Sequence, residues 1–337
     1  MTAITAPMLV LRDAQVRGGR NAFDGVHEWL RVNFPREAAD WQVAELPARI
    51  DRWDGLRLMV PFVLDPVQLW SPAIYQHLLA LQQTCDEHRI PVINRVDRLE
   101  RAGKLQAARA VAAAGLRAPR MVRIEDAEAF MRDRGGLPLP FMLRENWGHG
   151  GAMRRIERDR DLTVDLIRTL ANPVAVEIVD VRSPADGLYR AYRYLACGPL
   201  GVSVHLHRSA NWVTRGSDAD ASEPSLDEHR RYIEGPDPHH DQFQTVARLL
   251  GLDVLAFDYG YDLEGRVVVW EVNPYTRIRF PRAGQLGAPT AAHRAAAALV
   301  TCCRARAGLP VSRDMLRLLG YAGRGLSIRP AVTATDP

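Results

Sequence analysis

The sequence predicts an α/β protein with α+β character, built from more than one packed subdomain. Its 337 residues are too many for one small core. The first 95 or so residues alternate short apolar runs with helical patterns, which is typical of a parallel α/β layer. The later part is richer in strand-like runs joined by glycine-containing turns, which indicates hairpins.

The N-terminal elements follow from the spacing of apolar residues. The pattern predicts strands at 8–11, 56–60 and 91–94, and helices at 23–34 and 74–85. Farther along, it predicts helices at 98–114, 125–134 and 161–170, and strands at 119–124, 141–144, 152–156 and 174–181. The last stretch is predicted to hold strands at 189–197, 202–206, 254–261 and 267–272, helices at 242–250 and 291–306, a polar surface loop at 217–238, and a tail from about 322.

Composition narrows the classes of partner. Apolar residues make up 47% of the chain, charged residues 25%, and the formal net charge is +4, a mild excess that fits the handling of small anions. The chain has no run of five or more basic residues and only 7% aromatic residues, so we do not expect nucleic acid as a partner. The four cysteines show no CxxC spacing, so we expect no disulfides and a cytoplasmic protein. No apolar stretch approaches the ~18 residues that cross a bilayer, so we expect no membrane partner.

The strongest chemical signal lies on the last two strands. Glu271 and Asn273 are two residues apart, so they project from one face of a strand. If the turn at Gly265 makes these strands antiparallel neighbours, residues whose numbers sum to about 529 lie opposite, which places Asp258 across from Glu271. Two carboxylates and an amide among apolar neighbours favour a hard divalent cation that also binds phosphate oxygens, such as Mg²⁺. The alternative is a solvated acidic strand face.

Candidate phosphate ligands precede this trio. Lys104 lies on a helix after Asn94, and Arg144 ends a strand before a glycine-rich turn whose backbone N–H groups can approach phosphates closely. The glycines are Gly148, Gly150 and Gly151. Arginines on the middle strands can offer cationic forks to a phosphate or carboxylate, namely Arg190, Arg193 and Arg208.

The histidines give weaker signals. His205 and His207 are two apart on a strand, and His239 and His240 are adjacent, but neither pair has a third ligand at metal-binding spacing. We interpret both pairs as ordinary satisfied or solvated histidines. His149 lies within the glycine-rich turn and is a candidate contact to phosphate.

Taken in order, these segments resemble the ATP-grasp superfamily, with the glutamate-ligase and glutathione-synthetase-like branches as the most similar. The resemblance covers about residues 90 to 285 and rests on seven pieces in sequence order. They are VINRVDRLERAGKL, AAAGLRAPRMV, LPFMLRENWGHGGAMRRI, AVEIVDV, YRAYRYLACG, HLHRSANW and VLAFDYGYDLEGRVVVWEVNP. The family fold has two α/β subdomains that grip ATP, preceded by a smaller α/β domain. It implies domains at 1–95, 96–180 and 181–325, with a tail at 326–337.

The resemblance also implies roles for the candidate residues. ATP would contact Lys104, Arg144 in place of the family's second lysine, the three glycines, Glu177 at the acidic hinge position, and Asp180. Catalytic arginines would be Arg193 and Arg208, and the metal, Mg²⁺ or Mn²⁺, would be held by Asp258, Glu271 and Asn273. Arg277 and Arg279 could hold a substrate carboxylate.

The activity implied is carboxylate–amine ligation through an acylphosphate, on small amino-acid-like substrates with ATP and Mg²⁺ as cofactors. The partners expected are therefore a small carboxylate and a small amine, and the resemblance allows a homodimer. Two alternatives remain open: a kinase on the same scaffold, and a non-catalytic nucleotide-binding module.

Overall fold

The computed structural model describes residues 3–13, 22–147, 153–212, 214, 219–220, 222–280 and 291–320. Helices and three β-sheets are combined, which confirms the predicted mixed class. The sheets are formed by residues 8–62, 121–177 and 189–273, in that order along the chain. The predicted domain boundaries stay predictions. Within the described ranges, no helix is long and apolar enough to cross a membrane.

The first sheet is parallel and has the strand order β2-β1-β3. Its strands are β1 (Met8–Asp13), β2 (Trp41–Leu46) and β3 (Leu58–Phe62). Its helices are α1 (Ala22–Asn33), α2 (Pro35–Ala38), α3 (Val67–Trp70) and α4 (Pro72–Glu87). Strand β2 was not predicted. The predicted strand at 91–94 is wrong, because only Val92 bridges to β3 and Asn94 has a left-handed φ of 48°.

The second sheet is antiparallel, with the order β4-β7-β5-β6. Its strands are β4 (Met121–Arg123), β5 (Phe141–Glu145), β6 (Arg154–Ile156) and β7 (Pro173–Glu177). Beside it lie α6 (Ala127–Arg132) and α7 (Val164–Arg168), with a 3₁₀ helix at Asp159–Asp161. Before it in the chain come a 3₁₀ helix at Val96–Ala102 and α5 (Lys104–Ala113), which packs mainly on Val267–Asn273 and His240–Leu250.

The predicted helix at 98–114 is interrupted at Gly103. This residue has an extended ψ of 145°, so the 3₁₀ helix before it and α5 after it are separate elements. A Cβ at Gly103 would lie 2.6 Å from Nε1 of Trp147, which leaves no room for any larger residue. The break therefore allows the indole to pack against the start of α5.

The third sheet is antiparallel, with the order β11-β10-β8-β9. Its strands are β8 (Tyr189–Cys197), β9 (Leu200–Ser209), β10 (Val254–Tyr261) and β11 (Val267–Asn273). The helices are α8 (Glu223–Glu234), α9 (His240–Leu250), α10 (Ala291–Arg306) and α11 (Arg313–Leu318). The predicted loop at 217–238 is wrong, because most of it is α8, and the predicted tail from 322 lies outside the described residues.

Apolar packing joins the first and third sheets. One cluster of buried side chains contains Leu9 and Leu11 of β1 together with Phe257 of β10, and another contains Val10 of β1 together with Leu195 of β8. The second sheet has a smaller core of its own around Phe141. Glu271 of the third sheet is close enough to Lys104 of α5 and to Arg144 of β5 for its charge to affect both, so this side of the third sheet faces those two cations.

Candidate metal and phosphate site

One row of chemically active side chains crosses the third sheet. The register pairs Glu271 with Asp258, Asp258 with Arg193, and Arg193 with His205, so a residue from each of the four strands stands in line. Directly paired residues of antiparallel strands project from the same face. The predicted opposition of Asp258 and Glu271 is confirmed.

A β-bulge lies beside this row in each hairpin. The β10–β11 register shifts between Asp258 and Tyr259, and the β8–β9 register shifts between Arg193 and Tyr194. Between the turn and the bulge, the residue numbers of each pair sum to 528, as for Tyr259 and Val269. Trp270 has no partner on β10, so beyond it the sum is 529, and Asp258 is paired with Glu271. Without the bulge, Glu271 would point to the opposite face. Bulges commonly re-aim side chains next to functional sites.

Trp270 has room at the bulge because Gly260 lies beneath its ring. A Cβ on Gly260 would stand 2.9 Å from the far edge of the indole and 3.0 Å from the carbonyl oxygen of Arg190. Contacts this short do not occur between real side chains, so a larger residue would displace the indole. The glycine therefore supports the geometry that aligns the two carboxylates.

Asn273 is buried and its side chain is oriented by the backbone that follows. Its Oδ1 accepts a 2.8 Å hydrogen bond from Tyr275 N, which leaves the second lone pair of that oxygen for another partner. Asn94 fixes the same region from below, donating to the carbonyl oxygens of Val254 and Pro274. The role of Asn94 in the structure is thus to tie β10 to the end of β11.

The trio fits a hard divalent cation only in combination with other oxygen ligands. Within the described part of the chain, no three His, Cys, Asp or Glu side chains cluster in a way that could hold a metal. Asp258 and Glu271 are paired on one face, and Asn273 lies on the same face of β11 as Glu271. Two carboxylates and an amide oxygen, completed by phosphate oxygens, match the ligand set that Mg²⁺ prefers.

Lys104 is the only lysine among the 44 lysine and arginine residues of the chain. It begins α5, is 6% exposed, and its Nζ lies 3.4 Å from the carbonyl oxygen of Asn146. Burial and, to a smaller extent, the neighbouring charge of Arg144 lower the pKa of Lys104 to about 8, while the charge of Glu271 opposes the change. A compact, partly desolvated ammonium at a helix N-terminus is suited to a phosphate.

Arg144 lies on β5 and is drawn into the same cluster. Burial lowers the pKa of its guanidinium, and the charge of Glu271 acts in the opposite direction. The structure therefore brings together Lys104 of α5, Arg144 of β5 and one carboxylate of the predicted metal trio. Gly148, Gly150 and Gly151, together with His149, lie outside the described residues.

Arg193 makes a two-pronged ion pair with Asp258. Its Nε lies 3.1 Å from Oδ1, and its Nη2 donates to Oδ2 at 3.2 Å. Arg208 is not close to this pair. Arg208 is paired with Arg190 across β8–β9, so these two side chains project from the same face. Because Arg190 is three residues from Arg193 on β8, strand alternation puts the two predicted catalytic arginines, Arg193 and Arg208, on opposite faces. Arg208 instead contacts Asp186 at 3.0 Å.

Both hinge candidates are paired with arginines. Glu177 accepts hydrogen bonds from Nη2 of Arg117 at 3.0 Å and from the backbone N of Arg120 at 2.8 Å. Arg117 also donates to Asp262 at 2.6 Å, so it links the second sheet to the β10–β11 turn. Asp180 pairs with Arg182 near the surface, which lowers the pKa of the Asp180 carboxyl.

The predicted substrate arginines lie just after β11. Both Arg277 and Arg279 are exposed. The charge of Arg277 reaches Tyr275, and that of Arg279 reaches His205 in the row across the sheet.

Two features of the site escaped the sequence reasoning. Asp65, 2% exposed and just after β3, contributes charge next to Lys104 from the N-terminal sheet. His205 completes the row but was interpreted as an ordinary histidine. The sequence carries no signal for either residue, because Asp65 is brought in by packing of the first sheet and His205 by a β-bulge.

No protein-family model and no curated protein matches the sequence. Solved structures do match. A RimK-domain ATP-grasp protein from Sphaerobacter thermophilus has 12% identity over 88% of this chain and 99% of its own, with a TM-score of 0.55. The ADP complex of purK, an N5-carboxyaminoimidazole ribonucleotide synthetase, has 14% identity over 92% and 80%, with a TM-score of 0.53. The chain has the ATP-grasp fold.

A third match of this fold is the ATP-grasp ligase PsnB in complex with a phosphomimetic variant of its minimal precursor, Mg and ADP. It has 16% identity over 95% of this chain and 99% of its own, with a TM-score of 0.51. The row on the third sheet and the Lys104–Arg144 cluster therefore lie within an ATP-grasp fold. The sequence motifs had predicted this fold by their resemblance to the superfamily.

Proposed function

We propose that the protein is an ATP- and Mg²⁺-dependent carboxylate–amine ligase acting on small amino-acid-like substrates. The observation that carries the proposal is the convergence of Lys104 and Arg144 on Glu271, at one end of the row that continues through Asp258 to Arg193. The ATP-grasp fold supports it, since purK, PsnB and a macrocyclase, MdnC of Microcystis aeruginosa bound with its precursor peptide, have similar structures.

The two cations would bind the phosphates of ATP. Lys104 is held at the start of α5 and Arg144 at the end of β5, so both are fixed before any ligand arrives and little ordering is needed. Asp258, Glu271 and Asn273 would hold Mg²⁺, which, when bound, offsets the negative charge of the phosphate oxygens.

Arg193 would stabilise the phosphoryl group in transit. It is the next residue along the row, about 4.8 Å from Asp258 by strand spacing. A substrate carboxylate attacks the γ-phosphorus of ATP, ADP leaves, and the resulting acylphosphate is then attacked by an amine. The cationic surroundings of Arg193 and Arg279 favour the anionic carboxylate and acylphosphate.

The proposal is tested by an ADP-release screen with Mg²⁺-ATP and the twenty amino acids, supplied singly and in pairs, with mass spectrometry of the products. We expect ADP and a condensed product with at least one pair. Glu271→Gln should abolish turnover, whereas Glu264→Gln, in the exposed β10–β11 turn, should leave it unchanged.

Other outcomes would reassign the protein. ADP and a stable phosphorylated product from a single compound would favour the kinase. Nucleotide binding with no ADP from any compound would favour the non-catalytic module.

A further inference from the structure

The side chains beyond Arg193 in the row are two histidines. His205 is paired with Arg193 across β8–β9, and His207 is paired with Ala191 on the same face. Their rings stack with centroids 4.2 Å apart and planes 20° apart. By strand spacing, His205 lies about 5 Å from Arg193 and about 10 Å from Asp258.

The imidazole of His205 is uncharged at neutral pH. Burial, together with the smaller effects of His207, Arg193, His229 and Arg279, lowers the pKa of His205 to about 2. These groups come from β9, β8, α8 and the segment after β11, and none of them is an acid. A neutral imidazole presents one N–H donor and one nitrogen lone pair.

The hydrogen-bonding groups of this pair have no partner among the described side chains and backbone. Neither ring nitrogen of His205 or His207 makes a hydrogen bond to a described residue, both rings are half-buried, and their nitrogens are not among the fully buried polar atoms. Accessible nitrogens of this kind at the end of a row of phosphate-directed residues point to a ligand.

We propose that His205, backed by His207, binds the nucleophile: it accepts a hydrogen bond from the N–H of an uncharged amine and directs the nitrogen lone pair toward the acyl carbon held beside Arg193. The inference rests on the proposed ligase function. The arginines on either side disfavour an ammonium ion and so favour the free amine.

The step needs no external base. An acylphosphate dianion and a neutral amine give an amide and a hydrogen phosphate dianion. The nitrogen forms the C–N bond, the C–O bond to phosphate breaks, and phosphate leaves with that electron pair and the proton that nitrogen loses. His205 therefore serves as an acceptor that places the amine, and its low basicity is no obstacle.

The test separates trapping of the acylphosphate from its use by the amine. Each enzyme is incubated with Mg²⁺-ATP and the amino-acid panel, and amide product per ADP is measured. Parallel reactions contain concentrated hydroxylamine, which reacts with acylphosphates without help from a protein and gives hydroxamate per ADP.

In His205→Phe we expect amide per ADP to fall at least tenfold, while hydroxamate per ADP matches that of the wild type. His205→Asn, which retains an acceptor, should recover at least a third of the amide ratio. The control is His88→Phe. His88 is an exposed histidine that directly follows α4 and stacks on Trp53, and its variant should behave as the wild type.

Two results would overturn the inference. One is an unchanged amide ratio in His205→Phe. The other is a loss that does not single out the amine: either amide per ADP and hydroxamate per ADP fall equally, or ADP formation falls while both ratios stay constant. Such a result would indicate a structural or phosphoryl-transfer role for His205. Failure of the ligase proposal looks different, because the wild-type protein itself would then give neither amide nor hydroxamate with any pair.

Discussion

Replacing the single lysine should stabilise the protein while removing its function. Lys104 is 6% exposed, and its pKa falls from 10.5 to about 8 in the fold. Each tenfold change in proton affinity corresponds to about 1.4 kcal/mol, so keeping Lys104 charged at pH 7 costs the fold about 3 kcal/mol. Met has a similar shape and no charge. Lys104→Met should therefore raise the free energy of unfolding at pH 7 by up to about 3 kcal/mol, reduced by what the Nζ contacts, among them the long one to Asn146, contribute.

The gain should depend on pH with a defined sign. Because folding lowers the pKa of this basic group, the unfolded chain binds the proton more tightly, and the penalty fades as the pH rises from about 8 toward 10.5. The advantage of Lys104→Met in urea unfolding should therefore be largest at pH 7 and below about 1 kcal/mol at pH 10. Differences between variants cancel the titration of other groups.

Lys104→Arg is the matched control, since arginine keeps its proton throughout this range and should show no gain at either pH. ATP turnover should be lost in Lys104→Met. A methionine variant less stable than the wild type at pH 7 would refute the reasoning, because it would mean that the ammonium is stabilised and not penalised by its surroundings.

Three further predictions concern the frame and reactivity of the site. Arg117→Ala should lower the free energy of unfolding by about 2 kcal/mol and raise KM for ATP, because it unties the hinge strand from the β10–β11 turn; Arg266→Ala, which removes an exposed partner of the same turn, should cost less than about 1 kcal/mol in urea unfolding. Gly260→Ala should cost about 1–3 kcal/mol and weaken Mg²⁺ binding in calorimetry, whereas Gly25→Ala, whose Cβ would meet its neighbours at 3.4 Å or more, should not. The 2′,3′-dialdehyde of ATP should modify Lys104 at pH 8, with Mg²⁺-ATP protecting; peptide mapping that finds no protected label there would contradict the assignment.

The metal trio was predictable because its information is local. Asp258 and Glu271 lie on strands joined by a short turn, so counting from the turn places them near one another. The count from the turn gives the correct pairing only because of the bulge at Trp270, which no sequence pattern predicts. The spacing of Glu271 and Asn273 needs only strand alternation.

Other parts depend on contacts between distant segments. Helix α8 is mostly polar, with Ser225 as its one buried residue among those described, so no apolar periodicity marks it. The place of His205 beside Arg193 depends on a second bulge, and the separation of Arg208 from Arg193 depends on the same strand register. The charge of Asp65 reaches Lys104 only through packing of the first sheet.

The central claim is that Glu271 holds a metal required for nucleotide binding, next to Lys104 and Arg144. Calorimetric titration with the non-hydrolysable ATP analogue AMP-PNP, with and without Mg²⁺, tests it most directly in the wild type, Glu271→Gln and Glu264→Gln. We predict that Mg²⁺ tightens binding at least tenfold in the wild type and in Glu264→Gln, and that this gain disappears in Glu271→Gln. The same Mg²⁺-dependent gain in all three proteins would contradict the account.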